Sequence, residues 1–139
     1  MAVTMTAEAS WREGLQFNIQ TGTGHGVAVD GDPEHGGGEQ GPRPMELLLV
    51  GTAGCAAMDL ISILKKMRQD VKSYTVKITG ERRDEQPQVF THIVIEHIVE
   101  GNVEEAKLAH AIELSDNKYC SAQAMMRGVA KVETRYTIV

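Results

Sequence analysis

The sequence predicts an α+β fold. Three observations carry the prediction: separate stretches in which apolar and polar residues alternate, one long apolar stretch of helical character at 44–68, and short turn-rich connections between most of the alternating stretches. The long stretch, PMELLLVGTAGCAAMDLISILKKMR, organises the rest. Pro44 suits a first helical position and Glu46 the first turn, where the helix dipole favours an acid, while Lys65, Lys66 and Arg68 favour the opposite end. Residues 47–58 contain no charge and place Leu, Val and Met on every side, so a core helix sheathed on most of its circumference is expected. The uninterrupted apolar run falls short of the roughly 18 residues of a membrane span.

The other elements follow in order. Residues 10–20 alternate, with Trp11, Glu13, Leu15, Phe17 and Ile19 on one side, as a half-buried strand does. Gly22, Gly24 and Gly26 then suit a turn and residues 27–29 a short returning strand, so 10–30 reads as a hairpin. GDPEHGGGEQGP at 31–42 is a loop, long enough to be functional or mobile. After the helix, residues 72–82 turn Tyr74, Val76 and Ile78 inward, ERRDEQPQ makes a charged turn, and residues 90–100 put Thr91, Ile93, Ile95, His97 and Val99 on one face. Asn102 and Glu105 read as a capping box before a second amphipathic helix. SDNKY interrupts it, a further helical piece starts at Cys120, and residues 130–138 close as a strand. The order is β-β-α-β-β-α-(α)-β, with an antiparallel sheet over a buried central helix, in a single domain spanning 1–139.

The formal charge of −5 with scattered basic residues supplies no footprint for nucleic acid or an anionic membrane. MAVTMTAEASWREG has neither the charged start nor the apolar core of a secretory signal, so a cytoplasmic location with reduced thiols is expected. There, cysteines are more often catalytic or metal-binding than structural.

Two cysteines carry the candidate chemistry. On the helix, Cys55 has Gly51, Thr52, Met58 and Asp59 as its neighbours one turn away, a small and partly polar strip. Gly51 and Gly54 each cost roughly 1 kcal/mol of helix propensity relative to Ala, which points to a second helix or a substrate approaching closely over the thiol. Cys55 is either a small packed hydrophobe or a reactive thiol. Cys120, at a helix start and near Lys118, is in a setting that lowers a thiol pKa, or is a packed helix-terminal residue. Other motifs are weaker. TGTGHG lacks the third glycine of a dinucleotide fingerprint, Val27 standing in its place. His92 and His97 point to opposite faces of one strand and suit no metal site, His97 reads as a satisfied core histidine, and His25 and His35 sit in exposed turns.

Together, PMELLLVGTAGCAAMDLISILKK and KYCSAQAMMRGVAKVETRYTIV resemble the OsmC/Ohr family of thiol-dependent hydroperoxide reductases over most of the chain. The resemblance implies that Cys55 is the attacking thiol and Cys120 the resolving one, with Cα atoms within about 7 Å if they are to bridge. It also implies an intertwined homodimer with swapped N-terminal strands and interface active sites. The substrate would be an organic hydroperoxide, the reductant an external dithiol of lipoyl type, with no bound cofactor. Two departures mark a divergent branch. Where the family carries an acid before the reactive cysteine, this chain has Met45 with Glu46 one place later, and no arginine lies between Arg12 and Arg43, where the family's hairpin arginine belongs. Glu46 is the candidate acid, yet in one continuous helix it would stand about 13 Å along the axis from Cys55. Any acid that assists Cys55 is therefore expected from the partner subunit or the loop before the helix, and ordinary peroxidase activity is expected to be weak. The alternative function is a non-catalytic or weakly catalytic binding protein for a small apolar or thiol-containing ligand.

Overall fold

A computed structural model describes residues 3–139. The chain falls into two compact units, one ending at Leu48 and the other running from Leu49 to Val139. The architecture is α+β, with two three-stranded sheets.

In the first unit, β1 (Ala7–Glu13), β2 (Gln16–Thr21) and β3 (Gly26–Val29) form an antiparallel meander. The stretch 10–20, read from sequence as one strand, is two. Gly14 takes φ +55°, a left-handed conformation open to glycine at little cost, and turns the chain back so that Trp11 pairs with Phe17. The indole of Trp11 donates to the Gly14 carbonyl at 2.9 Å and clips the turn. Every residue of β1 is exposed. The glycine-rich loop that follows is organised around Asp30, whose carboxylate accepts from the amides of Gly31 (2.7 Å), Gly38 (3.1 Å) and Gln40 (3.2 Å). These bonds, led by that from Gly31, hold its pKa below the ordinary carboxylate value.

Helix α1 spans Pro44–Lys66. In the second unit, β4 (Asp70–Arg82) and β5 (Phe90–Asn102) pair antiparallel, whereas β6 (Lys131–Ile138) lies parallel to β5. The sheet is thus mixed rather than wholly antiparallel. The β5-to-β6 connection carries α2 (Glu105–Leu114), a π-helical turn (Ser115–Tyr119) and α3 (Ser121–Arg127), long enough for the crossover that parallel pairing needs. The capping box expected from Asn102 and Glu105 does not form. Asn102 still belongs to β5, and the amide of Glu104, which precedes α2, donates to the side-chain oxygen of Gln69 at 2.8 Å.

The alternation in β5 turns Ile93, Ile95, His97 and Val99 inward, all of them buried. Thr91, expected on that face, is exposed, because the β4–β5 register slips between Glu81 and Arg82. Opposite them, α1 buries a single stripe, Thr52, Ala56, Leu60 and Leu64. Leu60 and Leu64 join Val99, Leu108, Ala111 and Ile112 in the core of this unit. The sheathed helix expected from composition is therefore covered on one face only. By length and composition α1 could also cross a membrane, contrary to the sequence estimate, but Leu60 and Leu64 are built into a core with β5 and α2. His97 is a core histidine satisfied on one nitrogen: Nδ1 meets the Tyr74 hydroxyl at 2.6 Å, while Nε2 has no hydrogen-bond partner among the described residues. Burial lowers its pKa, so the ring stays neutral.

Candidate functional site

Cys55 lies at the middle of α1, and Asp59 follows one helical turn later on the same side. The π-helical turn supplies the third group. Its wide winding, closed by the Cys120 amide donating to the Ser115 carbonyl at 2.8 Å, brings the chain out of α2 and leaves Cys120 with φ −77° and ψ 98° as the N-cap of α3. The result joins residues 65 positions apart: the sulfurs of Cys55 and Cys120 and a carboxylate oxygen of Asp59 all lie within 4.8 Å of one another.

A polar frame holds the Cys120 side of the site. Its sulfur accepts from the Gln123 amide at 3.4 Å. Gln123 is fully buried, and its side-chain amide donates to Asp116 at 3.0 Å while its oxygen accepts from Arg127 at 3.0 Å. The buried Ser115 hydroxyl donates to Asp59 at 3.4 Å. Cys55 is half-buried and Cys120 only 3% exposed, so of the two sulfurs Cys55 is the one solvent reaches more readily.

Burial pushes the Cys120 thiol from its ordinary 9.0 up to about 11, and the neighbouring Cys55 adds to the rise, against the opposing bond from the Gln123 amide. The lowered pKa expected from a helix start is overturned, because loss of hydration, with Cys55 alongside, outweighs the backbone and side-chain hydrogen bonding of Gln123. Folding thus favours the protonated thiol. The stability this contributes is complete below pH 9.0 and is lost as pH rises toward about 11. In iodoacetamide labelling mapped by mass spectrometry, alkylation of Cys120 is expected to stay slow through neutral pH and still be climbing at about pH 11. Labelling that reaches its plateau below pH 9.0 would contradict this environment.

Glu46 stands in the first turn of α1, where its carboxylate accepts from the Arg43 amide at 2.9 Å, the work of a helix-start residue. The acid placed beside the thiols is Asp59. Sequence spacing put it one turn from Cys55 but assigned it no role, and its approach to Cys120 depends on how α3 packs. His25 sits in an exposed turn with Thr23, His35 is exposed beside Asp32, and His92 meets Glu133 at the sheet.

The fold and this thiol pair define a small α+β protein with a two-cysteine site. The model of the OsmC-like protein family matches residues 36–135, and the chain belongs to that family. It is similar to Protein YhfA of Escherichia coli strain K12, at 41% identity over 136 residues, covering 97% of this chain and 98% of the relative. Among solved structures, a hypothetical protein from Aquifex aeolicus VF5 is 32% identical, with a TM-score of 0.88 and coverage of 99% and 98%. An organic hydroperoxide resistance protein OsmC from Legionella pneumophila shares the fold at 14% identity, with a TM-score of 0.75 and coverage of 99% and 98%.

Proposed function

We propose that the protein reduces organic hydroperoxides with Cys55 as attacking and Cys120 as resolving thiol. The observation that carries this reading is the approach of the two sulfurs to within 4.8 Å, one half-buried and the other buried. The thiolate of Cys55 attacks the terminal peroxide oxygen and the O–O bond breaks. The alkoxide leaves as alcohol after taking a proton, and Cys55 becomes a sulfenic acid. The Cys120 sulfur then attacks Sγ of Cys55 and displaces hydroxide, which leaves as water with a proton. Asp59, whose carboxylate lies within 4.8 Å, takes the proton that Cys120 gives up, after a small side-chain movement or through one water. An external dithiol restores both thiols by exchange. The names of neighbours sharing the fold, such as the hydroperoxide resistance protein from Legionella pneumophila, support the same class of substrate.

The buried, protonated state of Cys120 favours a second reading, in which the site is weakly catalytic and binds a small apolar or thiol-containing ligand. Purified protein with cumene hydroperoxide and dihydrolipoamide separates the two: turnover well above the uncatalysed rate is expected, and its absence would remove the enzymatic reading.

The working unit we propose is a cytoplasmic homodimer. On α1, Val50 is 61% and Met58 72% exposed, and a side-chain carbon built on Gly51 or Gly54 would meet nothing within 4 Å among the described residues outside its own helix backbone. In this proposal a second copy takes up the close approach these glycines permit and pairs along the exposed β1. Light scattering should report a dimer at micromolar concentration, and a stable monomer would refute this assembly.

A further inference from the structure

We infer that Cys55, Cys120 and Asp59 form a binding site for one soft divalent cation of the zinc type. The inference rests on the geometry of the three side chains and does not require peroxide chemistry. Two thiol sulfurs and a carboxylate oxygen are the donors such an ion prefers, and all three lie within 4.8 Å of one another before any ion is present. With metal–sulfur bonds of about 2.3 Å and metal–oxygen bonds of about 2.0–2.2 Å, tetrahedral ligand atoms stand roughly 3.5–3.8 Å apart. Closing the remaining distance of about 1 Å is within reach of small side-chain rotations.

The surroundings match those of a metal site as well. Cys55 and Asp59 are one helical turn apart on a rigid helix, and Cys120 comes from a separate element. Two of the three ligands are already oriented from outside: Ser115 donates to Asp59, and the Gln123 amide donates to the Cys120 sulfur. Such outer partners set the direction of ligand lone pairs and raise affinity. Three protein ligands leave a fourth tetrahedral position for water. Two thiolates and one carboxylate sum to three negative charges, which a divalent ion reduces to one. Magnesium and calcium, which prefer oxygen ligands, do not fit this set.

On binding, each thiol that carries a proton releases it to solvent. Because the ion and a Cys55–Cys120 disulfide use the same two sulfurs, they exclude one another. Thiol chemistry at the site is then gated by the availability of the cation.

The test uses full-length protein, reduced with a phosphine and freed of metal, equilibrated with Zn2+ or Cd2+ and assayed by dialysis with metal analysis. One ion per chain is expected, with a thiolate-to-metal charge-transfer band for Cd2+. Cys55→Ser, Cys120→Ser and wild type oxidised with diamide should each lose the ion, and Asp59→Asn should weaken binding by about tenfold or more. Excess Mg2+ should not displace it. The oxidised wild type carries no substitution, so its result does not depend on whether a variant folds. Retention of the ion after oxidation, unchanged affinity in Asp59→Asn, displacement by Mg2+, or no binding by the reduced wild type would overturn the inference. Hydroperoxide turnover is read separately, so binding without turnover counts against the peroxidase alone, and turnover without binding against the metal site alone.

Discussion

Replacing Cys55 by serine is expected to cut hydroperoxide consumption by about three orders of magnitude or more, to the background that the free dithiol supplies. The hydroxyl of serine occupies nearly the same space on α1, but its oxygen is a poor nucleophile toward O–O bonds. The second sulfur does not substitute for the first, since Cys120 is 3% exposed and burial holds it protonated. The companion variant should behave differently. Cys120→Ser keeps the attacking thiol, so it should consume one equivalent of hydroperoxide and then stall as a sulfenic acid that dimedone traps on Cys55. Steady-state kinetics with a single-turnover trapping experiment checks both. Activity that survives in Cys55→Ser, or a trap found on Cys120 instead, would end the assignment of roles.

Leu60→Ala should cost about 2–5 kcal/mol of stability. Leu60 is fully buried and packs with Leu64, Val99, Leu108, Ala111 and Ile112, where α1, β5 and α2 meet. Removing its branched end takes apolar surface out of the core and leaves a cavity that a helix and a sheet cannot readily collapse around. Against a total of about 5–15 kcal/mol for a typical domain, this is a large fraction, and it should appear as a marked fall in the urea midpoint with little change in slope. A loss below about 1 kcal/mol would mean that this position relaxes freely and that the core is centred elsewhere. The change should also loosen the site, because Cys55 and Asp59 ride on the same helix.

Local pattern was enough for several features of this protein. The alternation along β5 identified Ile93, Ile95, His97 and Val99 as an inward face, since side chains on a strand alternate whatever the strand packs against. The apolar run with its proline start marked α1, and the residue types after SDNKY marked a helix beginning at Cys120. The resemblance carried by the two cysteine segments pointed to the family to which the chain belongs. What depends on distant residues had to come from the tertiary structure. Composition could not say that α1 buries only the stripe through Thr52, Ala56, Leu60 and Leu64, because all its faces are apolar and only the packing partner selects one. Gly14 could have continued a strand, and its φ of +55° became evident only with β1 folded back on β2. Gln69 receives the amide preceding α2, 35 positions away, in place of the local cap that the sequence offered. The same holds for the thiols. A helix start lowers a thiol pKa through nearby dipoles, but how deeply Cys120 is buried depends on the whole unit, and burial has the larger effect. Spacing alone placed Asp59 beside Cys55; that both meet Cys120 was decided by the π-helical turn and the packing of α3, because contact across 65 residues is a property of the fold.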